Sequence, residues 1–513
     1  MNDMKNLLIT VALTALTLPA FAFPVVAQSS AFAPKTTLDV TSAADDGTSG
    51  TLRWAIEQNN LNPGQYRIAL ASGLGVIRPA RELPPVLGPV IIEGTDYVKT
   101  GAYAVIDGSA FIIGDGAKAC PGAVAGQYGT NVRTTNNPGL ILRDTHGVEI
   151  HGVEVRNFCI GILINRASDN VISDNRIVGN KGGAGIMMTG DDGKGNSTAT
   201  TTNHNKILRN TFLNNGDAME ATRGAAFNLI ADNVVTSDDT NAEPSQGLEI
   251  LWGNDNVVVR NRFEGLSDGV QLNWGNRNYI GANYFTNLSS AVTLSGTDNI
   301  VDGNTMTGNR VAVSVRPQLA ANADGTPAKN RVSGPAVNLI TANAMYDNGK
   351  DIKRCFAGGA CLPDQHGAIV LGVPGLEHAA FIGNRGGGVE SDPSKLEQIC
   401  SASVSENCDP MPNHNLKAPV LTLVKREKAG VAVSGTVAGA PNSQVRVEVF
   451  GNRHKGADEA EIYLGFVSVT LDAAGAGTFR YSSDAPDAVH ALNFTATLTS
   501  SDRATSPLSQ AKA

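Results

Sequence analysis

The sequence predicts an all-β chain: a right-handed parallel β-helix, or solenoid, with an N-terminal helical cap and a C-terminal β-sandwich domain. Three observations predict it. Between Asn157 and Asn348 there are 30 asparagines in 192 residues, and they recur with a period. A second column in the same coils alternates apolar places with variable ones. Beyond about Asn415 the repeat gives way to longer alternating strands split by Gly, Pro and Asn turns.

The segments NVISDNRIVGN, NKILRNTFLNN, NLIADNVVTSD, NVVVRNRFEGL, NYIGANYFTNL, NIVDGNTMTGN and NLITANAMYDN share the frame N-x-x-x-x-N-x-apolar, with second asparagines Asn175, Asn210, Asn233, Asn261, Asn283, Asn304 and Asn343. The shortest intervals are 21 to 23 residues, and the longer ones hold Gly-, Ser- and Thr-rich inserts. A repeat of that length is one coil of a solenoid, which buries its apolar face only by stacking on its neighbours. Asn tolerates left-handed backbone geometry and its amide bonds to the next amide above, so the column predicts a turn with an asparagine ladder. A leucine-rich repeat has a similar period but needs a Leu-dominated consensus and a helical half, and neither is present.

The second column runs GLILRD from Gly139, GILINR from Gly161, GIMMTG from Gly185, AMEATR from Ala218, GLEILW from Gly247, GVQLNW from Gly269, AVTLSG from Ala291 and AVSVRP from Ala312. The second and fourth places are apolar in every coil, from Leu140 and Leu142 to Val313 and Val315, so they point inward. The third place then points outward, carrying Ile141, Leu163, Met187, Glu220, Glu249, Gln271, Thr293 and Ser314 in order. It turns polar halfway along.

Composition agrees with this class. Only 17% of the 513 residues are charged and 56 are Gly, which favours stacked β structure and tight turns over helical bundles. The 42% apolar content excludes disorder for most of the chain. A net charge of −8 without basic clusters argues against nucleic acid or an anionic membrane surface as the main partner. After Lys5 the stretch LLITVALTALTLPAFAFPVVA reads as a secretory signal peptide, residues 1–27, leaving no membrane span in the mature chain and a secreted or periplasmic address. All six cysteines follow it, an even number suited to an oxidising compartment. Proximity pairs Cys120 with Cys159, Cys355 with Cys361 and Cys400 with Cys408, one of 15 possible connectivities.

The segment DVTSAADDGTSGTLRWAIEQNN, the asparagine-laddered coils and the junction MPNHNLKAPVL together resemble the exported parallel β-helix repeat proteins of the pectin-lyase-like superfamily. The resemblance implies an N-terminal cap and first coils over residues 36–110, the β-helix over 111–395, a disulfide-containing linker over 396–415 and an Ig-like sandwich over 416–513. Leu52, Trp54, Ala55 and Ile56 suit a helix that covers the open end of the stack. The sandwich reads as a spacer or stabilising module in preference to a carbohydrate binder, since only Tyr463 and Tyr481 offer stacking platforms. The superfamily spans lyases, hydrolases, epimerases, esterases and adhesins, so it fixes no activity.

Candidate chemistry collects on the outward column. Glu220 and Glu249 stand in adjacent coils, and stacked strands lie about 4.8 Å apart, so one carboxyl should be raised as a proton donor while the other stays ionised. Trp252 and Trp274, one coil apart at the sixth place, suit a platform for pyranose rings. Arg223 and Arg316 follow their strands, Asp217 and Asp268 precede theirs, and Asp191 and Asp192 lie in an insert. Gln271 and Asn273 complete the substrate face. The inserts at 190–204, 236–246 and 317–334 suit the walls of a groove. The expectation is an exported monomer that binds and degrades a polysaccharide by β-elimination or hydrolysis. A lyase would use the carboxylates to hold Ca²⁺, and no other cofactor is implied. The alternative is a non-catalytic adhesin or envelope scaffold of the same fold. The catalytic signatures of polygalacturonases, pectate lyases and alginate epimerases are absent, so no family catalytic residue carries over.

Overall fold

The computed structural model describes residues 33–113, 120, 136–180, 182–190, 201–238, 246–316, 318–321, 327–334, 336–350, 352, 367–371, 412–428 and 430–513. The signal-peptide segment, Asp191, Asp192, Cys355, Cys361, Cys400 and Cys408 lie outside them, as do most of the first two inserts. Each coil gives one strand to each of three parallel sheets, for example Val257–Val259, Arg262–Glu264 and Asp268–Asn273. Among the described residues these sheets have 11, 10 and 9 strands. The chain is a parallel β-helix, closed at its far end by an antiparallel sandwich of two three-stranded sheets.

The inward rows are as the alternation predicts. All sixteen side chains at the second and fourth places, Leu140 and Leu142 through Val313 and Val315, lie in the continuous core. Beneath the first place the core crowds the backbone: a Cβ on Gly247 or Gly269 would come within 2.4 or 2.5 Å of the Phe263 or Phe285 ring. Gly and Ala therefore hold this column because it, too, points inward. The strand bends at its first place, so the residue before that place, Asp217 in the Ala218 coil, lies on the outer face.

Among the described residues the asparagines form two continuous ladders and, at a third turn, the shorter runs Asn180–Asn215 and Asn309–Asn348. Asn170, Asn205, Asn228, Asn256, Asn278, Asn299 and Asn338 make the first, each Nδ2 donating to the next Oδ1 at 2.8–3.1 Å. Asn175 to Asn343 make the second at 2.9–3.1 Å. The rungs are buried, and each amide finds its partners in the coils above and below, so the column carries no desolvation penalty. The expected left-handed turn residue is not the asparagine. It is the residue before it, such as Asp174, Arg209, Asp232 and Arg260, with φ of 53–61°.

At the N-terminal end the helix Leu52–Leu61 is capped by Thr51, whose hydroxyl accepts from the Trp54 N–H. It buries Leu52, Ala55 and Ile56 against the first coil, while Trp54 is only partly buried. Arg53 is 2% exposed and bound through both Nε and Nη2 to Asp45, which fixes the helix to the preceding loop. At the other end the sandwich supplies Phe450 and Ala460 to the β-helix core. Its Glu448 accepts from Thr341 Oγ1 and the Ala342 N–H, and its Glu459 accepts from the N–H groups of Asp347 and Asn348. Asn413 accepts from the Asn338 N–H at 2.8 Å, continuing the first ladder into the linker. Tyr463 and Tyr481 are part-buried at these packing surfaces rather than free platforms. Cys120 and Cys159 form a disulfide, the first of the three expected pairs.

Candidate active site

The strands Asp217–Thr222, Leu248–Leu251, Asp268–Asn273 and Ser290–Ser295 are neighbours in the nine-stranded sheet. Their register sets Glu220, Glu249, Gln271, Thr293 and Ser314 opposite one another in successive coils. Sequence alternation places this row correctly on the outer face. It does not foresee the row's burial: Glu220, Glu249, Gln271, Thr293 and Ser314 are each 0–2% exposed. These five side chains are covered, where the sequence reading expects them on the floor of an open groove.

The bend described above brings Asp217 onto the same face as Glu220, three residues on. Carboxylate oxygens of Asp217, Glu220 and Glu249 all lie within 4.8 Å of one another, and all three residues are buried. Asp217 Oδ1 accepts from the Gln246 N–H at 3.0 Å, and Gln246 Nε2 donates to Gln271 Oε1 at 2.8 Å. Asn273 Nδ2 stands 3.5 Å from Glu249 Oε1. Apart from a carboxyl–carboxyl contact with Asp217, neither oxygen of Glu220 has a hydrogen-bond partner, although both are buried, and Asn273 Oδ1 is buried and unpartnered. Burial, then the charges of Asp217 and Glu249 and a hydrogen bond shared with the Asp217 carboxyl, push the Glu220 carboxyl well above its ordinary range, and Arg223 pulls it partly back.

Arg223, Trp252 and Trp274 occupy the sixth place in successive coils, with φ of 40°, 58° and 55°. The strand has ended there, so these side chains do face out. They then stack on one another: the Trp rings are 4.5 Å apart and 7° from parallel, and the Arg223 guanidinium lies 5.2 Å from the Trp252 centroid. Trp252 thus has Trp274 on one face and Arg223 toward the other, while Trp274 is 6% exposed. The expected sugar platform is corrected by this stacking, which consumes the ring faces a pyranose would need. The column instead holds the Arg223 guanidinium, 3% exposed, beside Glu220.

Asp268 lies two strand spacings, about 10 Å, beyond Asp217 in the same row. It is buried and accepts from Thr293 Oγ1 at 2.6 Å. Burial raises its carboxyl, with Arg316, Thr293 and Ser267 working against the rise. The buried Nε of Arg316 has no hydrogen-bond partner, so that side chain has a donor to offer a ligand. The third insert forms a hairpin, Gln318–Ala321 with Pro327–Gly334, directly after Arg316. The sequence reading names Asp217 without placing it on the face of Glu220, and it does not name Gln246. The column of Gly and Ala at the first place carries the signal that would have found them.

A protein-family profile described as "Periplasmic copper-binding protein (NosD)" matches residues 127–228 and 216–351. A protein of Acinetobacter baylyi (strain ATCC 33305 / BD413 / ADP1) named 3-dehydroshikimate dehydratase is 51% identical over 488 residues, spanning 94% of this chain and 96% of that protein. Among solved structures, ORF18 of Geobacillus virus E2 aligns at 13% identity and a TM-score of 0.39, covering 87% of this chain and 76% of that one. A hyperthermoactive exopolygalacturonase from Thermotoga maritima aligns at 13% identity and a TM-score of 0.37, covering 61% and 87%.

Proposed function

The chain belongs to the same family as the Acinetobacter baylyi 3-dehydroshikimate dehydratase, and from that premise we propose that it is an exported, periplasmic dehydratase of 3-dehydroshikimate. The observation that carries the proposal is 51% identity sustained over nearly the whole of both chains. The buried acid cluster beside Arg223 supports it, because elimination from a small carboxylic acid needs carboxyl groups to move protons and a cation for the substrate carboxylate.

3-Dehydroshikimate is a cyclohexenone carboxylate with hydroxyls on the first and second carbons beyond the ketone. A base removes the proton α to the ketone, the β-hydroxyl departs with a proton as water, and enolisation completes a dihydroxybenzoate. The reaction is a β-elimination, the step expected of a lyase, carried out on a monocyclic acid. It needs a carboxylate to take the proton, an acid to return one, and a fixed cation for the substrate carboxylate. Asp217, Glu220, Glu249 and Asp268 supply carboxyl groups along one face, and Arg223, held by Trp252, suits the anchor. Exclusion of water strengthens each of these charge interactions.

The test is incubation of purified protein with 3-dehydroshikimate, followed by the ultraviolet absorbance of the aromatic product, beside parallel incubations with pectate, alginate and neutral glycans. Aromatic product from the small acid, with no new reducing ends or unsaturated sugars from the polymers, supports the reading. Turnover of any polymer without turnover of 3-dehydroshikimate defeats it.

A further inference from the structure

Two donors at the far end of the polar face lack an acceptor. Ser314, in the same row as Glu220 and Glu249, is 1% exposed, and its Oγ has no hydrogen-bond partner. Arg316 follows two residues later. Its N–H still bonds across to the Leu294 carbonyl, so the strand alternation runs through it and sets its side chain on the same face as Ser314. That side chain is part-buried, and its Nε is fully buried and without a partner. A buried donor left unsatisfied is costly, and a charged one most of all. Two coils back, about 10 Å along the face, stands the converse, Asn273 Oδ1, a buried acceptor with no donor. None of the three residues belongs to the acid cluster. Together they call for a molecule with acceptor oxygens at one end and a hydroxyl at the other.

We propose that Ser314 Oγ and Arg316 hold the carboxylate of a hydroxylated ring acid, one of whose hydroxyls donates to Asn273 Oδ1, in a subsite separate from the one that Arg223 serves. Residues two apart on a strand stand about 7 Å from one another, and a carboxylate has an oxygen for each of the two donors. The length agrees as well. A ring acid measures about 7 Å from its carboxylate to its far hydroxyl, and a hydrogen bond at each end adds about 3 Å. One such molecule therefore covers the two strand spacings from Arg316 to Asn273. It does not cover the four spacings, about 19 Å, between Arg316 and Arg223, which is moreover held on Trp252. A ring diol lacks the carboxylate and inorganic phosphate lacks the far hydroxyl, so neither satisfies both ends. 3-Dehydroshikimate and the dihydroxybenzoate formed from it satisfy both; that choice of ring acid rests on the dehydratase reading, whereas the unpartnered donors and acceptor do not.

The experiment is calorimetric titration of the full-length mature protein with the dihydroxybenzoate, with benzoate, catechol and sodium phosphate in parallel. Arg223→Gln removes the first anchor, so the binding that remains in this variant reports the second. The expected result there is about one dihydroxybenzoate per chain, catechol bound at least about tenfold more weakly, and no displacement by phosphate. Adding Arg316→Gln should weaken the binding at least about tenfold, and adding Ser314→Ala about threefold or more. Adding Asn273→Ala should bring the dihydroxybenzoate down to the affinity of benzoate. A folded Arg223→Gln that binds no ring acid overturns the proposal, as does unchanged binding after Arg316→Gln is added, or catechol bound as tightly as the dihydroxybenzoate. If Arg223→Gln does not fold, wild type is compared with Arg316→Gln alone: the number of dihydroxybenzoate molecules bound per chain should fall by one, and an unchanged number overturns the subsite. Turnover is measured separately. Consumption of 3-dehydroshikimate without this binding removes the subsite and leaves the dehydratase reading standing, and binding without consumption keeps the subsite and removes that reading.

Discussion

The coils carrying Ile141, Leu163 and Met187 and the coils carrying Glu220, Glu249 and Gln271 share one strand register and one pair of inward rows, yet they bury opposite chemistry on their outer face. In the first set, Ile141, Leu163 and Met187 pack with Ile160 and Ala184 into a closed hydrocarbon cluster. In the second, at the same places, Asp217 and Glu220 replace Ala184 and Met187, and their neighbours are carboxylates and amides. Both sets are equally inaccessible. The inner rows specify the coil, and the outer face is free to be filled by whatever the coil is for. A covered face that needs only to be stable is filled with hydrocarbon, so acids crowded together under cover mark chemistry.

The harshest way to break the comparison is to put a charge on the inner row, where neither half tolerates one. Ile250→Asp places a carboxylate in the continuous core with no partner, and should cost about 4 kcal/mol or more, or abolish folding. Urea unfolding followed by circular dichroism measures it. Ile164→Asp, in the apolar half, should be equally damaging. Tolerance in either would mean that the two halves do not share a core.

A reciprocal exchange sharpens the comparison at the aligned pair Met187 and Glu220. Met187→Glu puts an acid among Ile141, Ile160, Leu163 and Ala184 and should lower stability by about 2–4 kcal/mol. Glu220→Met removes an acid from a crowded acid cluster, so Tm should hold or rise while turnover of 3-dehydroshikimate falls by at least about a hundredfold. Two losses of stability of similar size would mean that Glu220 is a structural residue and that the acid half is not the functional one.

These contrasts also show which features the sequence makes legible. The coil is legible because its constraint repeats: each inward place obeys the same rule in eight coils, and each asparagine meets its like above and below. Glu220 and Glu249 are legible because they share a column. Asp217 is not, because residues three apart on a straight strand face opposite ways, and the bend that aligns them is encoded only in the small residues Ala218, Gly247 and Gly269. Burial of the outer row is hidden for another reason. Alternation states which way a side chain points and says nothing about what lies over it, so Gln271, outward on the strand, is 1% exposed. The tryptophans mislead in the same way, since a column that aligns Trp252 with Trp274 also stacks each on its neighbour before any ligand can reach it.

The smallest expected effect tests how far the acid half extends toward Arg316. Asp268 is buried and its carboxyl is raised above the ordinary 3.8, chiefly by burial. An acid raised in the folded state favours folding when protonated, so its stabilising contribution is complete below the unfolded value and is lost as pH rises through the folded value. Asp268→Asn has no such titration, and its amide oxygen can still accept from Thr293 Oγ1. The difference in Tm, variant minus wild type, should therefore be near zero or negative at about pH 4 and grow more positive toward pH 8, while every other group titrates alike in both proteins and cancels. A difference that stays flat across that range would mean that Arg316 and Thr293 fully offset the burial of Asp268, and the acid half would then end at Glu249.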